Sequence, residues 1–371
     1  DHLTAQRLVV AGVRAEYHDA LERARDKDPT NRLALRLLAA CAKADVIHAE
    51  EVGDHNALAK ALMALDRYDV EKRHERFRHG TGKLSLKITL PDGQEIPAFF
   101  QIFPLLDKGA LRIPASEPWL EFSTLGTGPV VLDIHMASYK VVVRAKGFPD
   151  IIYPVHITRQ RHWEGVVRLR IPPKGFVYVP GGQFEAGKKG VTSIGALPHG
   201  MRMVEDFFIG KCEVTREEWL QFRPDAKAPT NLRWPLADVS WHDAKAYCAW
   251  RSQRDGVQYD LPTEDQWEKA ARGVDGRVFP WGQKSKKEAC RGTSENPAPV
   301  NTYPLDCSIY GALDTAGNVS ELTNSRDEGF VWYRGGNWRA SMELATTTLR
   351  GRIKPDEKHP ALGFRICIPA P

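Results

Sequence analysis

The apolar residues of this chain change their spacing twice, and those two changes restrict the fold more than any single motif. From the start to about residue 80 they recur with a helical period. "DPTNRLALRLLAACAKADVIHAEEVG" opens on Asp28 and Pro29, a helix-start signal, and sets Leu33, Leu37, Ala40 and Ala44 near one face. Gly53 and Asp54 interrupt, and "HNALAKALMALDRYD" resumes the period, which predicts two antiparallel helices with a third from Thr4 to Arg25. From Lys83 the period is two: "KLSLKITL", "PVVLDIHM", "YKVVVRAKG" and "DIIYPVHITR" read as strands separated by turn residues such as "PDG". Beyond Gly175 neither period persists, and eight of the ten tryptophans fall there among dense glycine and proline. The expected organisation is therefore a helical hairpin or stem over 1–82, a small β-sandwich over 83–173, and a third domain over 174–371.

The third segment contains only short helices with strong caps. Thr215 precedes "REEWLQF", Ser240 precedes "WHDAKAYCAWRSQ" with Asp243 in its first turn, and Thr263 with Gln266 makes a capping box closed by Gly273. The remainder is expected to be irregular chain held by buried aromatics.

Composition excludes several function classes. Lysine plus arginine minus aspartate plus glutamate is 52 minus 47, a net charge of +5, and the basic clusters "KSKKEACR" and "RHERFRHG" are short and lack interleaved aromatics. Nucleic acid is not expected as a partner. No apolar run is long enough for a membrane span. The six cysteines (Cys41, Cys212, Cys248, Cys290, Cys307 and Cys367) form no zinc spacing, and only Cys290 and Cys307 are placed to pair in an oxidising compartment. A cytoplasmic location is the expectation, with a surface or periplasmic one left open. His18, His48, His55, His74 and His79 have no regular ligand spacing.

Nine ordered motifs in the last segment carry a family resemblance: "FVYVPGGQFEAG", "FFIGKCEVTREEW", "DVSWHDAKAYCAW", "LPTEDQWEKAARG", "FPWG", "PVNTYP", "YGALDTAGNVSEL", "YRGGNW" and "LGFRIC". Together they resemble the formylglycine-generating-enzyme family, the sulfatase-modifying-factor domain. That resemblance implies an α+β chain whose last domain has the C-type-lectin-like fold of this enzyme type, with little regular secondary structure. The preceding "SYKVVVRAKGFPDIIYPVHITRQRHWEGV" resembles the linker region of bacterial Ser/Thr-kinase fusions to this family. No kinase motif lies in the chain itself, so any kinase domain is expected before Asp1.

The family's oxidase chemistry needs two thiolates that bind copper, because soft thiolate is what copper(I) selects. With Gly335 and Gly336 as anchor, those positions become Ala340 and Ala345, the serine after the glycines becomes Asn337, and the tryptophans flanking the glutamate become Ser320 and Leu322. None of the six cysteines is near these positions in sequence. The resemblance therefore implies a pseudoenzyme with no catalytic residues and no copper. The iron-dependent sulfoxide-synthase branch is set aside because its histidine triad is lacking. The family's calcium site implies Asn318 and Glu321, beside Gly317, as ligands of a structural calcium ion, while hydrogen bonds from the same two side chains that only brace the loop are the equal alternative.

What remains is a face expected to bind rather than react. Trp338, Arg339, Ser341, Glu343, Arg350 and Arg352 are the candidate ligand-binding residues, with Met342, Lys354, Asp356 and Lys358 nearby. A core position for Trp338 is the competing assignment. The expected function is a non-catalytic module binding a protein or peptide, the recognition part of a bacterial signalling kinase. The alternatives are a variable protein of a diversity-generating retroelement, with changes confined to 337–361, and a residual copper-dependent oxidase.

Overall fold

The computed structural model describes residues 2–124, 128–188, 195–225 and 231–370, with only the backbone described for 2–12. The chain divides into two compact units. One comprises Asp1–Gly82, Asp133–Met136 and Thr158–Arg161, the other Lys83–Leu132, Ala137–Ile157 and His162–Pro371.

In the first unit, helices α1 (His2–Lys27), α2 (Arg32–Val52), α3 (His55–Tyr68) and α4 (Glu75–Arg78) follow one another. The start signal lies three residues later than expected. Asp28 accepts from the backbone and hydroxyl of Thr30, and Asn31 is the cap of α2, accepting from Ala34 N at 3.0 Å. The turn to α3 uses Gly53 at φ 73° in the left-handed region, and Asp54 then caps α3 through the amides of Asn56 and Ala57. The buried face of α2 is also not the expected one. Leu35, Leu38, Ala39, Ala42 and Val46 join Leu65, Tyr68 and Phe77 in the core, while Leu33 is 67% exposed and Ala40 and Ala44 face solvent. The run "LALRLLAACA" satisfies helical spacing in two registers, and packing of α2 on α3 selects one.

The second unit contains two kinds of β-structure. The first is built from β1 (Thr81–Thr89), β2 (Phe99–Lys108), β3 (Leu111–Pro114), β4 (Leu120–Ser123), β5 (Val130–His135), β6 (Ala137–Arg144), β7 (Ile151–Ile157) and β8 (His162–Arg168), with the first two residues of β1 and the last three of β5 counted in the first unit. An antiparallel sheet runs β3-β2-β6-β7 with β4 also paired to β2, and β1 pairs with β8 in parallel from Lys83 opposite His162 to Thr89 opposite Arg168. Alternation along β1 buries Leu84, Leu86 and Ile88, as a period of two demands.

The rest of the unit holds β9 (Phe176–Val179), β10 (Gly182–Ala186), β11 (Gly200–Val204), β12 (Phe207–Gly210), α5 (Arg216–Phe222), α6 (Trp241–Asp255), α7 (Glu264–Arg272), β13 (Ser320–Asp327), β14 (Phe330–Arg334), β15 (Arg350–Ile353), β16 (Leu362–Gly363) and β17 (Cys367–Pro369). All three helices carry the anticipated caps with both halves of the capping box formed, at Thr215 with Glu218, Ser240 with Asp243, and Thr263 with Gln266. Strand β12 lies between β9 and β17, so the end of the chain returns beside the start of this segment. A four-stranded sheet runs β15-β14-β13-β16, and β10 and β11 make a two-stranded ribbon. The stretch 273–319 contains neither helix nor strand. The two parts of the unit are joined by Arg112, whose amide donates to Trp281 O at 2.6 Å and whose guanidinium donates to buried Asp275 at 3.1 Å.

Candidate functional site

The glycine pair at 335–336 is the anchor of the region, and close approach explains both residues. A Cβ on Gly335, which has φ +78°, would stand 2.9 Å from the Trp267 ring, and one on Gly336 would stand 2.5 Å from Ala316 O and 3.1 Å from Ala345 Cα. Helix α7 supplies what the pair packs against. Its buried face carries Trp267 and Glu268, and Glu268 accepts from Arg272 at 2.8 Å and Arg334 at 2.5 Å. The Trp267 indole donates to Glu321 at 2.7 Å, and Arg365 clamps the same carboxylate through Nε and Nη2 at 2.5 and 2.6 Å. Ser320 donates to Gly335 O at 2.9 Å and receives the Asn337 amide at 3.0 Å, which ties β13 to the turn. The Glu268, Glu321 and Arg365 side chains of this frame are buried and each is held by more than one hydrogen bond, so its geometry is over-determined.

Upon this frame sit the two alanines. Ala345 is 2% exposed and shares a core cluster with Phe279, Trp281, Ala289, Cys290 and Ala316, against which Leu111, Val278, Leu305 and Met342 pack. Ala340 carries only its backbone into the site: its carbonyl accepts from Thr293 N at 2.9 Å. The separation in sequence of the cysteines from this segment proves misleading for one of them. Cys290 enters the cluster of Ala345, and its Sγ lies 3.7 Å from Met342 Sδ. It is buried, and desolvation together with the negative charges of Asp306 and Asp314 drives its thiol far above the ordinary range. A protonated, enclosed thiol is a poor nucleophile and a poor metal ligand. All cysteines among the described residues are free, and Cys307 points its Sγ toward Ser308 O rather than Cys290.

The six candidate binding residues separate into three groups. Trp338 is core, 7% exposed and packed with Val319 and Ala361, so its assignment to the binding face is corrected here. Its position follows from two backbone bonds, Trp338 N to Asn318 O and Ser294 N to Trp338 O, which draw residue 338 inward between neighbouring loops. Arg350 is committed elsewhere as well: it grips Glu264 with two bonds of 2.8 Å and lies 3.3 Å from the Trp332 ring centroid. Arg339, Ser341 and Glu343 are exposed on one short turn, with Leu344 beside them, and Arg352 is exposed on β15 over the Phe330 ring. Arg339 stacks 4.5 Å from the Trp338 centroid, and backbone and Ser341 hydrogen bonds hold the Glu343 carboxyl below its usual range.

Asn318 and Glu321 are both buried, and their oxygens are engaged. Asn318 Oδ1 accepts from Ala298 N at 2.9 Å, and the Glu321 carboxylate accepts from Arg365 and Trp267. A calcium ion ligated by this pair would have to displace those bonds, so the two side chains as placed do not fit one. Among the described residues no group of three or more His, Cys, Asp or Glu side chains is arranged to hold a metal. A feature without any signal in the sequence lies next to them. Asp306, Asp314 and Glu213 are all buried, and the charge of Asp314 raises the proton affinity of the other two. Asp306 braces the turn by accepting from the amides of Thr315, Ala316 and Gly317. Burial and Asp314 nonetheless push it up to about 7, and burial pushes Asp314 up to about 6. Neither oxygen of Glu213 has a hydrogen-bond partner among the described residues, and burial followed by the Asp314 charge raises it well above the carboxylate range.

Comparison with known proteins places the region. Residues 167–370 match the family described as the sulfatase-modifying factor enzyme 1-like domain. The inactive C-alpha-formylglycine-generating enzyme 2 of Bos taurus is 36% identical over 177 residues, covering 41% of this chain and 56% of that protein. The hercynine oxygenase of Mycolicibacterium smegmatis is 30% identical over 198 residues, covering 40% of this chain and 45% of the other. The chain thus spans about half the length of the curated relatives it matches. Among solved structures, Treponema denticola variable protein 1 aligns with 52% of this chain and 94% of its own at 18% identity and a TM-score of 0.47.

Proposed function

This chain belongs, through residues 167–370, to the family of sulfatase-modifying factor enzyme 1-like domains, and from that premise we propose that the domain is a non-catalytic module that binds a protein or peptide ligand. One observation carries the reading. A buried, hydrogen-bonded frame presents an exposed turn bearing a cation at Arg339, a hydroxyl at Ser341, a carboxylate at Glu343 and an apolar side chain at Leu344, which is 53% exposed. The cluster beneath the turn, around Ala345, is apolar and closed. Mixed chemistry on a preorganised support favours binding, since little ordering entropy remains to be lost. Two relatives, from Bos taurus and Mus musculus, bear names that call them inactive, which supports the same reading. We extend the proposal to the setting: recognition on behalf of a signalling kinase, with Arg352 at the edge of the face.

The test is a selection of random displayed peptides on the immobilised chain, repeated with Arg339→Ala/Glu343→Ala. Enrichment is expected to be lost in the double variant while its melting temperature stays at the parent value. Equal enrichment by both proteins rejects the turn as the binding face. Copper-dependent conversion of a cysteine peptide to formylglycine rejects the non-catalytic reading altogether.

A further inference from the structure

Strand β11 has one face inside the protein and one in water. Val204 is buried, and Arg202 donates to Asp265 of α7 at 2.8 Å, so these two define the inner face. Met201 and Met203 alternate with them and are 52% and 69% exposed. Exposure alone decides nothing, because Met63 on α3 is 74% exposed. What distinguishes Met201 and Met203 is their company. The antiparallel register sets Glu185 of β10 opposite Met201 and Gln183 opposite Met203, so these four side chains share the outer face. His199, two residues before Met201, reaches the same face, since its Nε2 lies 2.7 Å from Glu185 Oε1.

We propose that His199, Met201 and Met203 form a binding site for a soft monovalent cation, copper(I) being the one of this class available in cells. The His-x-Met-x-Met spacing places two donors on one face of β11 and the third just before the strand, about 7 Å apart along the backbone, a distance that the flexible thioether arms can close on one ion. Thioether sulfur is a weak ligand for hard dications and selects copper(I) and its congeners. The donor set is neutral, which suits a single positive charge at a half-open surface. Glu185 acts behind it: a carboxylate accepting the Nε2 proton leaves the Nδ1 lone pair free for a metal and holds the ring in place. The ribbon is supported independently of these side chains by the backbone bond from Glu185 N to Val274 O at 3.2 Å and by the Arg202–Asp265 ion pair.

Silver(I), which does not change oxidation state here, is the first probe. The full chain labelled at its five methionine methyls is titrated with silver(I) and followed by NMR. Two methyl signals, lost from the spectrum of Met201→Leu/Met203→Leu, are expected to move together and saturate at one equivalent. Copper(I) affinity, measured anaerobically by competition with a chromogenic chelator, should fall about tenfold in Glu185→Gln and more in the double leucine variant. The leucine variant keeps the size and apolarity of both side chains, so its melting temperature should match the parent. The proposal fails if silver shifts only the Met342 methyl beside Cys290, if no methyl moves, or if the double variant binds copper(I) as tightly as the parent chain.

Discussion

Replacing Asp314 with asparagine should make the protein more stable at neutral pH and leave it unchanged in acid. Asp314 is 2% exposed, its side chain accepts one bond, from Asn301 N at 2.6 Å, and its φ of +54° suits asparagine as well as aspartate. An asparagine oxygen keeps that bond, so the substitution removes the ionisable group and little else. Burial raises the Asp314 carboxyl from 3.8 to about 6. An acid raised in this way favours the folded state fully below its unfolded pKa and loses that contribution as pH climbs through the folded value. Two units at roughly 1.4 kcal/mol each give about 3 kcal/mol, which the parent has lost by about pH 7.5 and the variant keeps. Because the Asp314 charge also raises Asp306 and Glu213, both should release their protons more easily in the variant. The assay is urea denaturation of both proteins at about pH 4 and about pH 7.5, with a chelator present so that no cation enters the carboxylate cluster. A variant no more stable than the parent at the higher pH, or a difference of equal size at both, would refute the argument.

Three further outcomes follow from the same geometry. Trp338→Ala should cost about 3–5 kcal/mol by leaving a cavity between Val319 and Ala361, measured by denaturant unfolding, whereas Arg339→Ala should change stability by less than about 1 kcal/mol. Gly336→Ala should destabilise by roughly 2 kcal/mol or more, because a methyl 2.5 Å from Ala316 O forces the backbone apart, and a thermal melt will register it. Glu268→Gln should cost about 3–5 kcal/mol, since it leaves Arg334, fully buried, without its 2.5 Å carboxylate, and the loss should persist in high salt because the pair is shielded from solvent.

Short-range chemistry was legible in the residues alone. The caps at Thr215, Ser240 and Thr263 and the stop at Gly273 were readable because a cap is a contact between residues three or four apart. The strands after Lys83 were readable because alternation is written into consecutive positions. The family was readable because its motifs are contiguous. Only the tertiary structure decided which register of α2 is buried, since the run of leucine and alanine permits two and the packing partner α3 chooses one. It likewise decided that Trp338 is core, that Arg350 serves Glu264 86 residues away, and that Cys290 joins Met342 across 52 residues and Ala345 beside it. It alone assembled Glu213, Asp306 and Asp314 without a full set of partners. Each of these depends on where a distant segment lands, and no local spacing carries that information. The energy of a buried charge or a filled cavity is a property of the whole packed neighbourhood.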